Sequence, residues 1–248
     1  MIRVALATAG LLLAGVPSVT LAADFSIQPI AVHLGKGNAT QTLSILNRGI
    51  EPVRLQVTGF AWDQDAQGDT KLTATDDVIF FPQLVTVPAG ERRAIRVGMA
   101  GATSVEKEKT YRVFVEELPS LQSQLAPKGA VVNVRTKMGV PIFVDPSKPS
   151  PKGEVSVASV RGGHLQFAVA NHGNAHFLTQ RISVVGEGPN GKVFETPVNG
   201  WYVLAGEQRA FDVALPKECG KAHSITINVQ SDAGEFKTTA PVAAGSCV

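Results

Sequence analysis

Short runs of alternating apolar and polar residues fill most of the chain after residue 23, and turn residues interrupt them roughly every 8 to 12 positions. Because successive side chains of a strand point to opposite faces, this period of two is typical of half-buried β-strands. No window after residue 23 shows a 3.6-residue period with helix caps, so the pattern predicts an all-β protein. The clearest predicted strands cover residues 42–47, 53–60, 94–99, 110–118, 131–144, 155–157, 165–171, 181–185 and 224–229.

A proline-rich segment near the middle of the chain divides these strands into two groups. It contains Pro146, Pro149 and Pro151, and proline lacks the backbone donor that a sheet ladder needs. The segment is therefore predicted to be a stiff linker between two β-sandwiches, since each group has the length of an immunoglobulin-like domain. The predicted division is an N-terminal domain at 24–146, a linker at 147–152 and a C-terminal domain at 153–248.

The first 23 residues have the pattern of a secretory signal peptide. Arg3 supplies a positive charge, residues 4–16 are almost continuously apolar, and the small residues Ala22 and Ala23 suit a cleavage site. The alternative is a membrane anchor, but the apolar run is shorter than the roughly 20 residues that a spanning helix needs. The sequence thus predicts export, with cleavage of a signal peptide at 1–23.

Charge and cysteine content narrow the class of protein. The formal net charge of +2 becomes about +1 when Arg3 leaves with the signal peptide. Nucleic acid is therefore not expected as a partner, because phosphate binding needs a concentrated basic face. The two cysteines, Cys219 and Cys247, are expected to form a disulfide in an exported chain.

No cluster of residues suited to catalysis or to metal binding stands out. His172 and His176 have i, i+4 spacing, but Gly173 and Asn174 between them indicate a turn, and a third metal ligand is missing. A nucleophile elbow, a phosphate-binding loop and a dinucleotide fingerprint are also missing from the sequence. We therefore expect neither an enzyme nor a protein with a cofactor or a small-molecule substrate, and we interpret the histidines as turn or surface residues.

The predicted strand at 131–144, directly before the linker, is longer than the usual roughly five to six residues. One of its faces is apolar, and the other carries two cations, Arg135 and Lys137. This pattern fits an ordinary sandwich strand whose apolar face lies in the core of its own domain. A long strand at a sheet edge is also able to pair with a strand of another protein. The apolar face consists of Ala130, Val132, Val134, Thr136, Met138 and Val140.

The chain after residue 23 resembles the periplasmic chaperones of chaperone–usher pilus assembly, and within them the archaic branch that serves spore-coat-U-like subunits. The similar segments keep their order and spacing across nearly the entire first domain, whereas the second domain is similar in two segments. These segments are 43–49, 52–57, 62–65, 78–82, 87–90, 96–97, 111–119 and 140–144 in the first domain, and 200–207 and 231–234 in the second.

The resemblance implies a periplasmic chaperone that holds an incompletely folded pilus subunit and delivers it to an outer-membrane usher. In this family the chaperone fills the groove of a subunit that lacks its last strand, which is known as donor-strand complementation. The implied donor residues are Val132, Val134 and Thr136, with Ala130 and Met138 at the margins. Self-association of the free chaperone through the same strand is a further possibility that the sequence leaves open.

In one respect the sequence departs from the family pattern. Better-known members bind the C-terminal carboxylate of the subunit with an Arg in the first strand and a Lys in the donor strand, where this chain has Ala31 and Pro141. Arg135 and Lys137 are candidate substitutes, because cations bind a carboxylate through charge-assisted hydrogen bonds. The competing interpretation of these two residues is a solvated polar face.

The resemblance also implies structural roles for residues outside the donor strand. Arg96, Glu117 and Asp232 resemble the buried ionic contacts within and between the domains of the family, and Trp62 and Trp201 are expected in the core. The main alternative function is an exported two-domain adhesion or carbohydrate-binding module, which would need an exposed aromatic platform. A periplasmic metal carrier is a further alternative, which the three methionines and the dispersed histidines disfavour.

Overall fold

The computed structural model describes residues 24–101, 103–119 and 134–247, so the predicted signal peptide at 1–23 lies outside the described residues. The described chain folds almost entirely into strands, which confirms the predicted all-β class with two immunoglobulin-like sandwiches. No helix in the described ranges is long and apolar enough to cross a membrane.

The N-terminal sandwich consists of two sheets. One sheet has the strand order β1-β3-β8-β6, and the other has the order β2-β10-β9-β4-β5, with β7 also paired to β4. The strands are β1 Phe25–Gln28, β2 Val32–Leu34, β3 Thr40–Asn47, β4 Val53–Gln64, β5 Thr70–Ala74, β6 Val78–Phe81, β7 Leu84–Val87, β8 Arg92–Met99, β9 Lys109–Glu117 and β10 Lys137–Val144.

Alternating apolar positions from both sheets fill the core of this sandwich. Leu43 on β3 and Ile95 on β8 come from one sheet, whereas Val113 on β9 and Ile142 on β10 come from the other, and all four side chains are fully buried. Their period of two is the pattern by which the sequence predicted these strands. The sheet that contains β9 and β10 therefore has one face in the core, and its other face is free to meet the second domain.

The C-terminal sandwich also has two sheets, β11-β12-β16 and β14-β13-β17-β18, with β15 paired to β13. Its core includes Phe167, Phe177, Ile182 and Ile227. The strands are β11 Gly153–Arg161, β12 His164–Asn171, β13 Phe177–Gly188, β14 Gly191–Val198, β15 Tyr202–Val203, β16 Gln208–Ala214, β17 Ser224–Ser231 and β18 Gly234–Pro241.

A short 3₁₀ helix, Lys217–Lys221, lies between β16 and β17. The predicted disulfide is present and joins Cys219 in this helix to Cys247. Residues 145–152, between β10 and β11, belong to no strand and coincide with the proline-rich segment.

Candidate functional site

Strand β10 is paired along only part of one of its edges. On one side it pairs with β9 over its whole length, from Lys137 to Val144. On the other side it pairs with β2 from Ile142 to Val144, so within the described chain residues 137–141 have no strand on that edge. The backbone groups on an open edge are available to a strand from another protein.

The apolar face of β10 continues past the core of its own domain. Val140 is buried in that core, Met138 is 36% exposed, and Val134 is 60% exposed. Thr136 lies between them and is half-buried. The implied donor residues that the structure describes thus lie on one strip that leaves the core. The other two, Ala130 and Val132, lie outside the described residues.

The segment 134–136 differs from the prediction of one strand from 131 to 144, because β10 begins at Lys137. Strand β9 ends at Glu117, so no described strand pairs with residues 134–136 on that side. Two hydrogen bonds hold it instead: the Glu117 N–H donates to the Thr136 carbonyl at 2.9 Å, and the Thr136 N–H donates to Glu117 Oε2 at 3.2 Å. The prediction of strand structure is therefore wrong for residues 134–136 of the free protein.

Arg112 projects from β9 into the cleft between the two domains. Its register partners are Phe60 on β4 and Pro141 on β10. Its Cζ lies 4.2 Å from the ring centre of Trp62 and 5.8 Å from that of Trp201, a residue of the C-terminal domain. The resemblance places Pro141 at the position of the family's usual Lys, and Arg112 is the direct cross-strand neighbour of Pro141. Sequence reasoning missed this residue.

The guanidinium of Arg112 has unused donor capacity. Among the residues that the structure describes, neither its buried Nε nor the buried indole Nε1 of Trp62 has a hydrogen-bond partner. Burial lowers the pKa of Arg112, and the nearby Tyr202 opposes this shift. Arginine nevertheless stays protonated in proteins. A half-buried cation beside a second unpaired donor favours an anion with free oxygen lone pairs, such as a carboxylate.

The floor of the cleft is an apolar cluster shared by both domains. Trp62 and Phe143 of the N-terminal domain are fully buried against Leu204 of the C-terminal domain, and Ala31 packs against the same cluster. The side-chain amide of Gln64 also joins the domains, because it donates to the Tyr202 carbonyl at 2.8 Å and accepts the Leu204 N–H at 2.9 Å. Ala31, which the resemblance places at the position of the family's usual Arg, therefore contributes to domain packing. Trp62 is buried as expected.

Trp201 is the exception among the residues expected in the core, because 41% of its surface is exposed. It precedes β15 and forms part of the wall of the cleft. Its backbone is held by Thr179: the Trp201 N–H donates to Thr179 Oγ1, and the Thr179 N–H donates to the Trp201 carbonyl at 3.1 Å. The expectation of core packing is therefore wrong for Trp201.

A buried carboxylate–imidazole pair also joins the domains. His176 Nδ1 lies 2.8 Å from Glu108 Oε2, and their side chains are only 11% and 1% exposed. The His176 ring stacks on Phe143 at 3.7 Å between ring centres, and His33 stacks nearby and bonds to Asp145 at 3.1 Å. His176 is thus not the turn or surface residue that the sequence suggested. In the described ranges, no three His, Cys, Asp or Glu side chains are grouped as a metal site requires.

The three residues that were interpreted as buried ionic contacts have other environments. Arg96 and Asp232 are exposed, and Glu117 is half-buried. Asp232 accepts the Leu178 N–H at 2.8 Å, and Glu117 holds Thr136 as described above. None of the three forms a salt bridge with another described residue. The interpretation of these three residues is therefore wrong, and the buried carboxylate–imidazole contact between the domains is the one formed by Glu108 and His176.

The two candidate anchor cations, Arg135 and Lys137, lie away from the cleft. Lys137 Nζ is 3.1 Å from Glu116 Oε2 and 4.8 Å from the ring centre of Phe114, so its charge is already paired. Arg135 is exposed and precedes the first residue of β10. Glu116 is four residues from Arg112 on β9, which corresponds to roughly 13 Å along a strand. The structure therefore does not bring Arg135 or Lys137 together with Arg112.

Solved structures of pilus chaperones share this fold at low sequence identity. One of them is the complex of the chaperone CsuC with the tip subunit CsuE, from the archaic Csu pili of Acinetobacter baumannii. It contains a chain that is 18% identical with a TM-score of 0.60, and the similarity covers 87% of this chain and 97% of that chain. The YadV chaperone is 15% identical with a TM-score of 0.59, and the similarity covers 88% of this chain and 100% of that chain. The complex of the Salmonella enterica SafA pilin with the SafB chaperone contains a chain that is 14% identical with a TM-score of 0.58. The similarity covers 90% of this chain and 99% of that chain. These identities show the fold alone.

A comparison with curated protein sequences gave no significant match. The sequence profile described as "Pili and flagellar-assembly chaperone, PapD N-terminal domain" matches residues 24–150, from before β1 to the linker. This match covers more than half of the chain and includes the open edge of β10 and Arg112. The protein therefore belongs to the PapD-like family of pilus-assembly chaperones.

Proposed function

We propose that this protein is a periplasmic chaperone that completes an incompletely folded pilus subunit with β10 and the residues before it. The observation that carries the proposal is the open edge of β10 at 137–141, next to an apolar strip that leaves the core at Met138. A subunit strand would pair with the open edge, and the subunit groove would bury Val134, Thr136 and Met138. Full burial of one large apolar side chain contributes about 1.5–3 kcal/mol, so the strip can hold a subunit without an energy source.

Within this proposal, Arg112 binds the C-terminal carboxylate of the subunit. It lies directly across from Pro141, at the inner end of the open edge, and no acidic side chain of the described residues forms a salt bridge with it. Partial burial strengthens its attraction for an anion, because the effective dielectric constant is lower than in water. Arg112 would thus replace the Arg and Lys of better-known members, while Lys137 keeps Glu116 as its partner.

Export, the class of subunit and delivery to an outer-membrane usher belong to the same proposal. The apolar segment at 4–16 supports export to the periplasm. The resemblance of the sequence to the archaic branch supports spore-coat-U-like subunits. Members of the family act by binding rather than by catalysis, in keeping with the expectation that this chain is not an enzyme.

Replacement of Arg112 tests the anchor. In a periplasmic co-expression with pilus subunits from the same genome, a tagged Arg112→Gln variant should retain at least tenfold less subunit than the wild type, since a charge-assisted bidentate contact is lost. Arg112→Lys should recover part of the binding, because lysine keeps the positive charge but lacks the planar guanidinium that binds both carboxylate oxygens. The measurement is the ratio of subunit to chaperone after affinity purification.

Arg96→Gln is the matched control, because Arg96 is an exposed arginine on the opposite sheet of the same domain. It should capture subunits as the wild type does. Equal capture by the Arg112→Gln and Arg96→Gln variants would remove Arg112 from the proposal and leave the strand interaction as the whole binding site.

A further inference from the structure

Trp201 is an exposed aromatic side chain on an unusually well-fixed backbone. The Thr179 hydroxyl donates to the Trp201 carbonyl at 2.7 Å and accepts the Trp201 N–H, and the Thr179 N–H bonds to the same carbonyl. Thr179 is itself 3% exposed. A side chain on the preceding Gly200 would come within 2.2 Å of the Thr179 carbonyl oxygen, so this position has room only for glycine. The indole is therefore held in a fixed place although 41% of the residue faces solvent.

This fixed place is beside the proposed anchor. The Trp201 ring centre lies 5.8 Å from Arg112 Cζ and packs edge-to-face against Tyr202 at 5.5 Å. A carboxylate on Arg112 would have its oxygens roughly 2.8 Å from the guanidinium nitrogens. A carboxylate that approaches Arg112 from the side of Trp201 would bring the side chain of its own residue within van der Waals reach of the indole. Arg112 and Trp201 come from different domains, so the domain arrangement creates this pocket.

We infer that Trp201 contacts the side chain of the last residue of the bound subunit, so that the chaperone prefers subunits that end in an apolar or aromatic residue. The inference rests on the proposed function of Arg112 as carboxylate anchor. The wall offers the Trp201 indole and the Tyr202 ring, and neither presents a charge to a neighbouring side chain. A small polar terminal side chain would therefore gain little there, whereas an aromatic one would gain ring contacts as well as burial.

Labelled peptides test this inference with the full-length protein. The probes are N-terminally fluoresceinated decapeptides of alternating Val and Thr that end in Phe or Ser, each as the free acid and as the amide. By fluorescence anisotropy, the wild type should bind the Phe acid about three- to tenfold more tightly than the Ser acid, the effect of one aromatic contact. Trp201→Ala should reduce this ratio to about one and keep the preference for acid over amide. Trp201→Phe should keep most of the ratio.

Phe81→Ala is the control, because Phe81 is an exposed aromatic residue, at 78%, in the N-terminal domain. It should leave both preferences unchanged. If the ratio of the affinities for the Phe acid and the Ser acid were the same in the wild type and in Trp201→Ala, the inference would be overturned and the carboxylate anchor would stand. Loss of the acid-over-amide preference in the wild type itself, or no binding of any peptide, would instead contradict the proposed function on which the inference rests.

Discussion

Glu108 is buried and Arg112 is half-buried at the domain interface, but the two side chains differ in the partners that they have. Glu108 is paired with His176 and accepts the His176 N–H as well, so its buried charge is satisfied within the free protein. Arg112 lies against aromatic rings, and its buried Nε has no hydrogen-bond partner in the part of the chain that the structure describes. A buried charge with a partner suits domain packing, whereas one without a partner is poised to bind a ligand.

Removal of the imidazole from the buried pair should destabilise the protein strongly. His176→Ala removes the imidazole and leaves the Glu108 carboxylate, whose side chain is 1% exposed, with only the backbone N–H of residue 176, so we expect a loss of about 3 kcal/mol, the lower end of the cost of removing one partner of a buried pair. The measurement is the free energy of unfolding from urea denaturation. His172→Ala is the control, because His172 pairs with Glu154 at the surface and should change this free energy by less than about 1 kcal/mol. Equal effects of the two substitutions would contradict the role given to Glu108 and His176.

His33 should make part of the stability depend on pH. Its hydrogen bond to Asp145 raises its pKa against the opposing effect of burial, and the charges of Asp145 and Glu108 act in the same direction as the bond. Because the folded-state pKa is raised, the stabilisation is fully present below the unfolded pKa of about 6.5 and is lost as the pH rises through the folded pKa. The side chain is 53% exposed, so the effect should stay below about 1 kcal/mol.

A comparison of wild type and His33→Gln isolates this effect from the other histidines. The urea midpoints of both proteins are measured at about pH 5.5 and 8.5, on either side of the unfolded pKa. The wild type should lose more stability over this interval than the variant. The groups that face His33 from neighbouring elements are Phe143, Asp145, Glu108 and His176, and all remain in the variant. An identical pH dependence in both proteins would show that His33 does not contribute.

At the scale of single elements, β10 combines two environments in one strand. Its second half is enclosed between β9 and β2, and its first half has β9 on one side and an open edge on the other. The enclosed half fixes the position and direction of the strand, so the open half presents its backbone in a defined register. In the proposed complex, the segment at 134–136, which belongs to no strand in the free protein, would extend the ladder once a subunit supplies the second strand.

Alternation predicted several of the strands whose two faces differ in burial, and it gave no signal for β5, whose two faces are alike. Strands β3, β9 and β12 alternate between core and surface and were recognised from the sequence. Strand β5, Thr70–Ala74, has five exposed residues and exists because it pairs with β4, so its sequence carries no burial signal. In the same way, Arg112 occupies an outward position of β9 and looks like any solvated residue, because Trp201 meets it only once the two domains are packed.

At the scale of the whole molecule, the cleft is a product of two sandwiches in fixed contact. Trp62, Phe143 and Leu204 close its floor, and the hairpin between β4 and β5 contacts β16, where the Ala210 N–H donates to the Gln67 carbonyl at 3.1 Å. The division into domains at 24–146 and 153–248 remains a proposal, and the strand-free residues 145–152 support it. The open edge of β10 and Arg112, which forms no salt bridge with another described residue, thus lie beside the same cleft, as the proposed strand donation requires.

The most direct test of strand donation is subunit capture by the double variant Val132→Asp and Val134→Asp. Its control is Ile79→Asp with Leu84→Asp, which adds the same charge at residues that are 56% and 62% exposed, close to the 60% of Val134. In periplasmic co-expression, the amount of subunit captured by the donor-strand variant should be at least tenfold lower than that captured by the wild type, because two carboxylates would enter an apolar groove. The control should capture subunits normally, and circular dichroism should show both variants folded. Normal capture by the folded donor-strand variant would contradict the account.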